Sequence, residues 1–196
     1  MIKKMLLIVP PAITFRDFRN VNPLPPVGLG YIASVAERMG LDVKILDCLL
    51  KGWLNEEYIS KDLIRVGLSD DMIKYYIKEF EPDLVGVNCQ FSRQRDVYHR
   101  IFSLIKAVDR KIVTVAGGPH TTVCPKDMLG HPDCDFIILG EGEEPLRQLI
   151  EALNNQGQIH NIDGLGSKNR GEIKINDRKN WIDDLDSIPF PAYHLM

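Results

Sequence analysis

Five short apolar runs recur along this 196-residue chain, with stretches of helical spacing between them and after the last. They cover residues 5–9 (MLLIV), 43–46 (VKIL), 84–87 (LVGV), 112–116 (IVTVA) and 136–139 (FIIL). Most are β-branched and nearly continuous rather than alternating, as expected of parallel strands covered on both faces. Residues 28–39, 70–79, 95–108, 124–129 and 143–153 read as helices. In the third of these, Val97, Ile101, Leu104, Ile105 and Val108 make one apolar stripe. Strand and helix alternating through right-handed crossovers predict an α/β fold. The expected architecture is a doubly wound, five-stranded parallel sheet in the order 2-1-3-4-5, the flavodoxin-like (Rossmann-like) arrangement.

Two stretches fall outside this rhythm. Residues 49–69 exceed a normal connection and predict a short helix or two. After Gly157, "IDGLGSKNRGEIKIN" predicts two short strands around a turn at Asn169-Arg170-Gly171, and "RKNWIDDLDSIPFPAYHLM" an extended tail. The expected division is therefore an α/β domain over 1–156 and a hairpin with linker over 157–196.

Composition excludes several function classes. A net charge of −3 gives neither a nucleic-acid footprint nor a polybasic membrane surface. The N-terminal apolar run stops at Pro10 and Pro11, too short for a signal peptide or a span, so a cytoplasmic location is expected. Cys48, Cys89, Cys124 and Cys134 show no zinc, iron–sulfur or disulfide spacing. Cys48 and Cys89 read as small apolar filler.

In an open parallel sheet, ligands bind beyond the carboxyl ends of the strands, where strand order reverses. The first run is followed by Pro10, Pro11 and a loop to Pro26, the third by Asn88, Cys89, Gln90, Phe91 and Ser92. The fourth leads to Gly117, Gly118, Pro119, His120 and Thr121, the fifth to Gly140, Glu141, Gly142 and Glu143. Gly117-Gly118 has two readings: a tight turn requiring positive φ, or bare backbone that a ligand can approach. Glu141 and Glu143 suit a helix N-terminus, with Gly140 and Gly142 facing a ligand. His120 reads as a structural or ligand-contacting group, since no other histidine lies at metal-like spacing. The glycines of "GLGYIA" read as aids to close helix–sheet packing. No G-x-S-x-G, H-E-x-x-H or P-loop motif occurs.

Known doubly wound classes narrow the reading. A phosphate-accepting receiver needs acids after the first strand and an aspartate after the third, where Pro10-Pro11 and Asn88-Cys89 stand. A dinucleotide fingerprint is absent after the first strand. A flavin- or nucleotide-binding domain for electron transfer or protein interaction stays open as an alternative.

The ordered set "LLIVPP", "PLPPVGLGYIASVAERMGLDVKILD", "PDLVGVNCQ", "VAGGPHTT", "DFIILGEGEEPLRQLIEAL" and "DDLDSIPFPAYHLM" resembles the N-terminal cobalamin-binding domain of cobalamin-dependent radical SAM proteins. That group includes the Mg-protoporphyrin IX monomethyl ester oxidative cyclase-like proteins. The resemblance runs from Met5 to Met196. It implies a cobalamin bound base-off, with no protein histidine on cobalt, because the D-x-H-x-x-G of other cobalamin domains is missing. Asn88-Cys89-Gln90 occupies the S-x-L place, and Gly117-Gly118 match the glycine pair along which the nucleotide tail runs. The implied cofactor-binding set is Pro25, Pro26, Gly28, Asn88, Gln90, Ser92, Gly117, Gly118, Pro119, His120, Thr121, Gly140, Glu141 and Gly142. His120 and Thr121 are expected beside the tail, and Glu141 and Gly142 at the corrin rim. The resemblance further implies a C-terminal radical SAM domain as partner, carrying S-adenosylmethionine and an iron–sulfur cluster on C-x-x-x-C-x-x-C. The sequence ends before any such motif, which leaves two expectations, a fragment of a longer enzyme or a free-standing corrinoid carrier, with the strap-like tail favouring the fragment. The expected function is a cobalamin-binding module, not catalytic alone, for methyl transfer or oxidative cyclisation in the full-length protein.

Overall fold

The structure, a computed structural model, describes every residue except Asn20 and Arg170. In chain order it contains β1 (Lys4–Val9), β2 (Ala12–Phe15), α1 (Val27–Arg38), β3 (Asp42–Asp47), α2 (Cys48–Lys51), β4 (Glu56–Tyr58), β5 (Leu63–Val66) and α3 (Asp70–Phe80). Then follow β6 (Leu84–Asn88), α4 (Arg95–Val108), β7 (Val113–Gly117), α5 (Pro119–Val123), α6 (Pro125–Gly130), β8 (Phe136–Ile138), α7 (Glu143–Asn155), β9 (Leu165–Asn169) and β10 (Glu172–Ile175).

The five apolar runs form the parallel part of one sheet, in the order β3-β1-β6-β7-β8. This is the expected 2-1-3-4-5 arrangement. Consecutive residues of β1 explain why the runs do not alternate. Leu6 and Ile8 join a core beneath α3, α4 and α6, while Met5 and Leu7 join a second core beneath α1 and α7. Each such buried Leu or Ile contributes about 1.5–3 kcal/mol. The stripe on α4 is placed as its spacing dictates: Val97, Ile101, Leu104 and Ile105 are buried and Val108 packs at the margin. Helix α3 starts where Ser69 Oγ accepts the Met72 N–H at 3.4 Å, with Asp70 and Asp71 in the first turn favoured by the helix dipole.

Two features extend the expected picture. The C-terminal hairpin continues the main sheet: β9 pairs antiparallel with β8 and β10 with β9, giving seven strands. An uncovered β8 would present unpaired backbone groups, and β9 satisfies them. Arg170, central to the anticipated turn, lies outside the described residues. Residues 49–69 contain one short helix, α2, and then two strands. These build a separate antiparallel sheet, β2-β5-β4, in which Ile64 and Val66 bury their β-branched side chains.

The tail folds back along α1, where Ala192 N donates to Gly30 O at 3.0 Å. A Cβ on Gly30 would stand 3.0 Å from Pro191 Cβ, so this glycine admits the tail rather than the sheet. All four cysteines are free. Cys48, Cys89 and Cys134 are buried, and burial pushes their thiols up, that of Cys134 to about 12. Among the described residues no helix is long and apolar enough to cross a membrane.

Candidate functional site

A cavity of about 940 Å³ opens at the carboxyl edge of the parallel strands, under α1 and α7. It spans the step between β1 and β6, where strand order reverses, the expected location for a ligand. Its floor is cut into the sheet. Leu7, Gly86 and Val115 sit side by side on β1, β6 and β7 and all three line it. A Cβ on Gly86 would come within 2.7 Å of Leu7 Cδ2, so the missing side chain lets Leu7 lie across β6.

The glycine pair after β7 divides its two readings between its members. Gly118 has φ +103°, and a Cβ there would stand 2.9 Å from Cys89 O and 3.0 Å from Asn88 Oδ1. Its glycine is a backbone requirement. Gly117 has no such constraint: a Cβ there would meet nothing within 4 Å, and the residue borders the cavity. The turn is fixed by Cys89 N donating to Gly117 O at 2.7 Å and His120 N donating to Cys89 O at 2.9 Å.

Of the anticipated residues, Pro25, Pro26, Gly28, Asn88, Gln90, Gly117, Gly118, Pro119, Gly140, Glu141 and Gly142 line this one cavity. Ser92, His120 and Thr121 are not among its lining. Pro119 opens α5, as proline at a first helical position can, and the next residues turn back into the protein. His120 is 3% exposed and Thr121 fully buried. The His120 ring meets Ser92 Oγ through Nδ1 at 3.0 Å, lies 5.8 Å from the Tyr98 ring, and has Nε2 3.5 Å from Asp127 Oδ2. These groups brace the loop from behind.

Several lining or supporting residues carry no motif signal. Asp47 closes β3 beside the end of β1 and lines the cavity. Burial raises its carboxyl above the usual range, against the N–H of Leu50 that it accepts at 2.8 Å. Gln94 is also buried in the wall, and its amide pairs with both backbone groups of Ile13, fixing β2 at 2.8 and 2.9 Å. Thr122 Oγ1 accepts the Gly140 N–H at 3.0 Å and ties the two glycine loops together. Glu143 also lines the cavity, with Oε2 buried and without a hydrogen-bond partner among the described residues.

The lining is largely apolar, with Asp47, Glu141, Glu143 and Arg93 as its charged residues. Among the described residues no histidine lines it. Among the described residues, no group of three or more His, Cys, Asp or Glu could hold a metal ion. The arrangement suits a large organic ligand with an apolar body and hydrogen-bonding arms.

Comparison with known proteins agrees with this geometry. A family model described as B12 binding domain matches residues 20–150. Cytidylyl-2-hydroxyethylphosphonate methyltransferase of Streptomyces wedmorensis is 36% identical over 98% of this chain and 40% of its own length. Anaerobic magnesium-protoporphyrin IX monomethyl ester cyclase of Rubrivivax gelatinosus is 27% identical over 84% of this chain and 28% of its own. The chain thus spans well under half of these relatives. Among solved structures, the cobalamin-dependent S-adenosylmethionine radical enzyme OxsB with aqua-cobalamin bound superposes with a TM-score of 0.74, at 17% identity, over 97% of this chain and 24% of that one. At that identity the likeness speaks for the fold. The resemblance to cobalamin-dependent radical SAM proteins read from the sequence is borne out. With residues 20–150 matched, the chain belongs to the family of B12-binding domains.

Proposed function

We propose that this chain is the cobalamin-binding module of a larger radical SAM enzyme that performs methyl transfer or oxidative cyclisation, and that it is not catalytic alone. The observation that carries the reading is the cavity beneath Gly117, where the position of the missing side chain is open. About 940 Å³ lies near the top of the usual range for small-molecule sites, roughly 300–1,000 Å³, and a corrinoid's nucleotide tail needs such depth. Asn88, Gln90, Gly117, Gly118 and Pro119 would hold the tail on one side and Pro25, Pro26 and Gly28 on the other. Glu141 and Gly142 would meet the rim of the corrin. Ser92, His120 and Thr121 would act through the loop they brace. The described lining offers cobalt no protein imidazole, and the base-off state rests on the family resemblance.

When bound, cobalamin supplies a cobalt centre able to carry a methyl group or take part in radical chemistry. This chain's residues orient the cofactor and shield its tail from water. S-adenosylmethionine and the iron–sulfur cluster would belong to a further domain, toward which residues 157–196 lead. Every described residue lining the cavity lies within 1–156. Three carboxylates against one arginine make this wall a poorer cradle for the dianionic phosphomonoester of a flavin mononucleotide than for the singly charged phosphodiester of cobalamin's tail.

The test is uptake of hydroxocobalamin by the purified protein, followed by desalting. Retained corrinoid with a base-off absorption spectrum supports the reading. Bound yellow flavin fluorescence and no corrinoid would overturn it.

A further inference from the structure

The guanidinium of Arg178 is buried, with only 7% of the side chain exposed, although it belongs to the C-terminal segment beyond the family match. Nη1 lies 3.2 Å from Asp163 Oδ2 and Nη2 lies 3.7 Å from Glu141 Oε2. Its central carbon stands 5.4 Å from the centre of the Trp181 ring. Glu141 Oε2 also accepts the Ile182 N–H at 2.9 Å. The fit is close: a Cβ on Gly140 would stand 2.9 Å from the Trp181 ring, and one on Gly164 2.8 Å from Arg178 Cδ. Asp163 accepts the N–H groups of Lys179 and Asn180 at 3.0 to 3.1 Å, and Gly164 N donates to Asp177 O at 3.2 Å, so the segment is anchored on both sides of the arginine.

Exposed ion pairs contribute little to stability. A guanidinium this far from water is different, because removing its partner leaves a buried charge unpaired. Here one partner is Glu141, part of the cavity wall, and the aromatic face beside the arginine covers Gly140, the residue before it. The family match ends at residue 150, yet the wall after β8 is held from residues 163–182.

We infer that Arg178 is a positioning residue of the ligand site: it fixes Glu141 directly and Gly140 through Trp181, so the C-terminal segment sets the shape of the wall after β8. The inference takes its ligand from the corrinoid reading, but the placement of the wall can be measured without ligand.

The test has two arms on the whole chain. In the first, hydrogen exchange is measured on the ligand-free protein. Arg178→Gln raises the exchange of the Gly140 amide, held by Thr122 Oγ1, and of the Ile182 amide, held by Glu141 Oε2, at least tenfold relative to those in β1, and Arg178→Lys restores part of the protection. Unchanged exchange at these two amides overturns the inference. In the second, hydroxocobalamin is titrated into the wild type, Arg178→Gln, Glu141→Gln and the double variant. Each single change weakens binding about tenfold, and the double variant loses clearly less than the product of the two single losses, because Arg178 acts in part through Glu141. Losses that multiply would overturn the inference. Should Arg178→Gln fail to fold, Trp181→Ala, at a half-exposed position, replaces it in the exchange arm, read at the Gly140 amide. If the wild type takes up no corrinoid, the corrinoid reading fails and the exchange arm still decides the role of Arg178.

Discussion

The Gly140 N–H donates to Thr122 Oγ1 at 3.0 Å, while the same hydroxyl reaches Gly118 O at 3.2 Å. One side chain thus spans the loops after β7 and β8. Thr122→Val keeps the shape and removes both bonds. The expected cost is about 1 kcal/mol of stability. Hydroxocobalamin retention falls with it, and Thr122→Ser retains both properties. Thermal melts and equilibrium dialysis on the two variants check this, and equal behaviour of Val and Ser would refute it.

Gly117 and Gly118 differ in what a side chain would do. Gly117→Val places methyl groups into the cavity without backbone strain and should abolish corrinoid retention with little change in melting temperature. Gly118→Ala forces a side chain into a left-handed conformation against Cys89 O and should destabilise the fold by about 1–2 kcal/mol or more. Retention of cobalamin by a folded Gly117→Val protein would contradict the proposed site.

Ile101 is fully buried on α4, in the core beneath α3, α4 and α6, and does not line the cavity. Ile101→Ala should lower stability by about 2–5 kcal/mol. Corrinoid affinity of the folded fraction should stay unchanged. Chemical denaturation and titration separate the two; a parallel fall in affinity would show that the two cores are coupled.

The strap at Arg178 has an acid limit. The N–H groups of Asn180 and then Lys179, with Arg178 nearby, hold the Asp163 carboxyl below its usual 3.8. Its folded value lies below the unfolded one, so the stabilisation is complete above about pH 5 and is lost as pH falls through the folded value. Melts from pH 6 to pH 3 should show a steeper acid loss in the wild type than in Asp163→Asn. Identical slopes would rule out this contribution.

The parallel sheet was legible because each strand is buried on both faces and so leaves an unbroken apolar run. The β2-β5-β4 sheet was not. Glu56, Glu57 and Tyr58 are exposed, leaving no alternation, and Ala12 pairs with Val66 far along the chain. At the site, the strand ends announced Asn88, Gln90, Gly117 and the glycines after β8. Gly86 carries no signal in the sequence because its role depends on Leu7 in the adjacent strand. Asp47 carries none because the end of the second strand has no motif. The inward turn of His120 and Thr121 follows from helix α5 beginning at Pro119, a backbone event that a list of polar residues after a strand does not reveal.

The floor formed by Leu7, Gly86 and Val115 belongs to the hydrogen-bonded ladder of the sheet, not to a loop. A receptacle carved from a rigid ladder keeps its contour before a guest arrives. The ordering entropy of that part is met during folding, so association need not supply it.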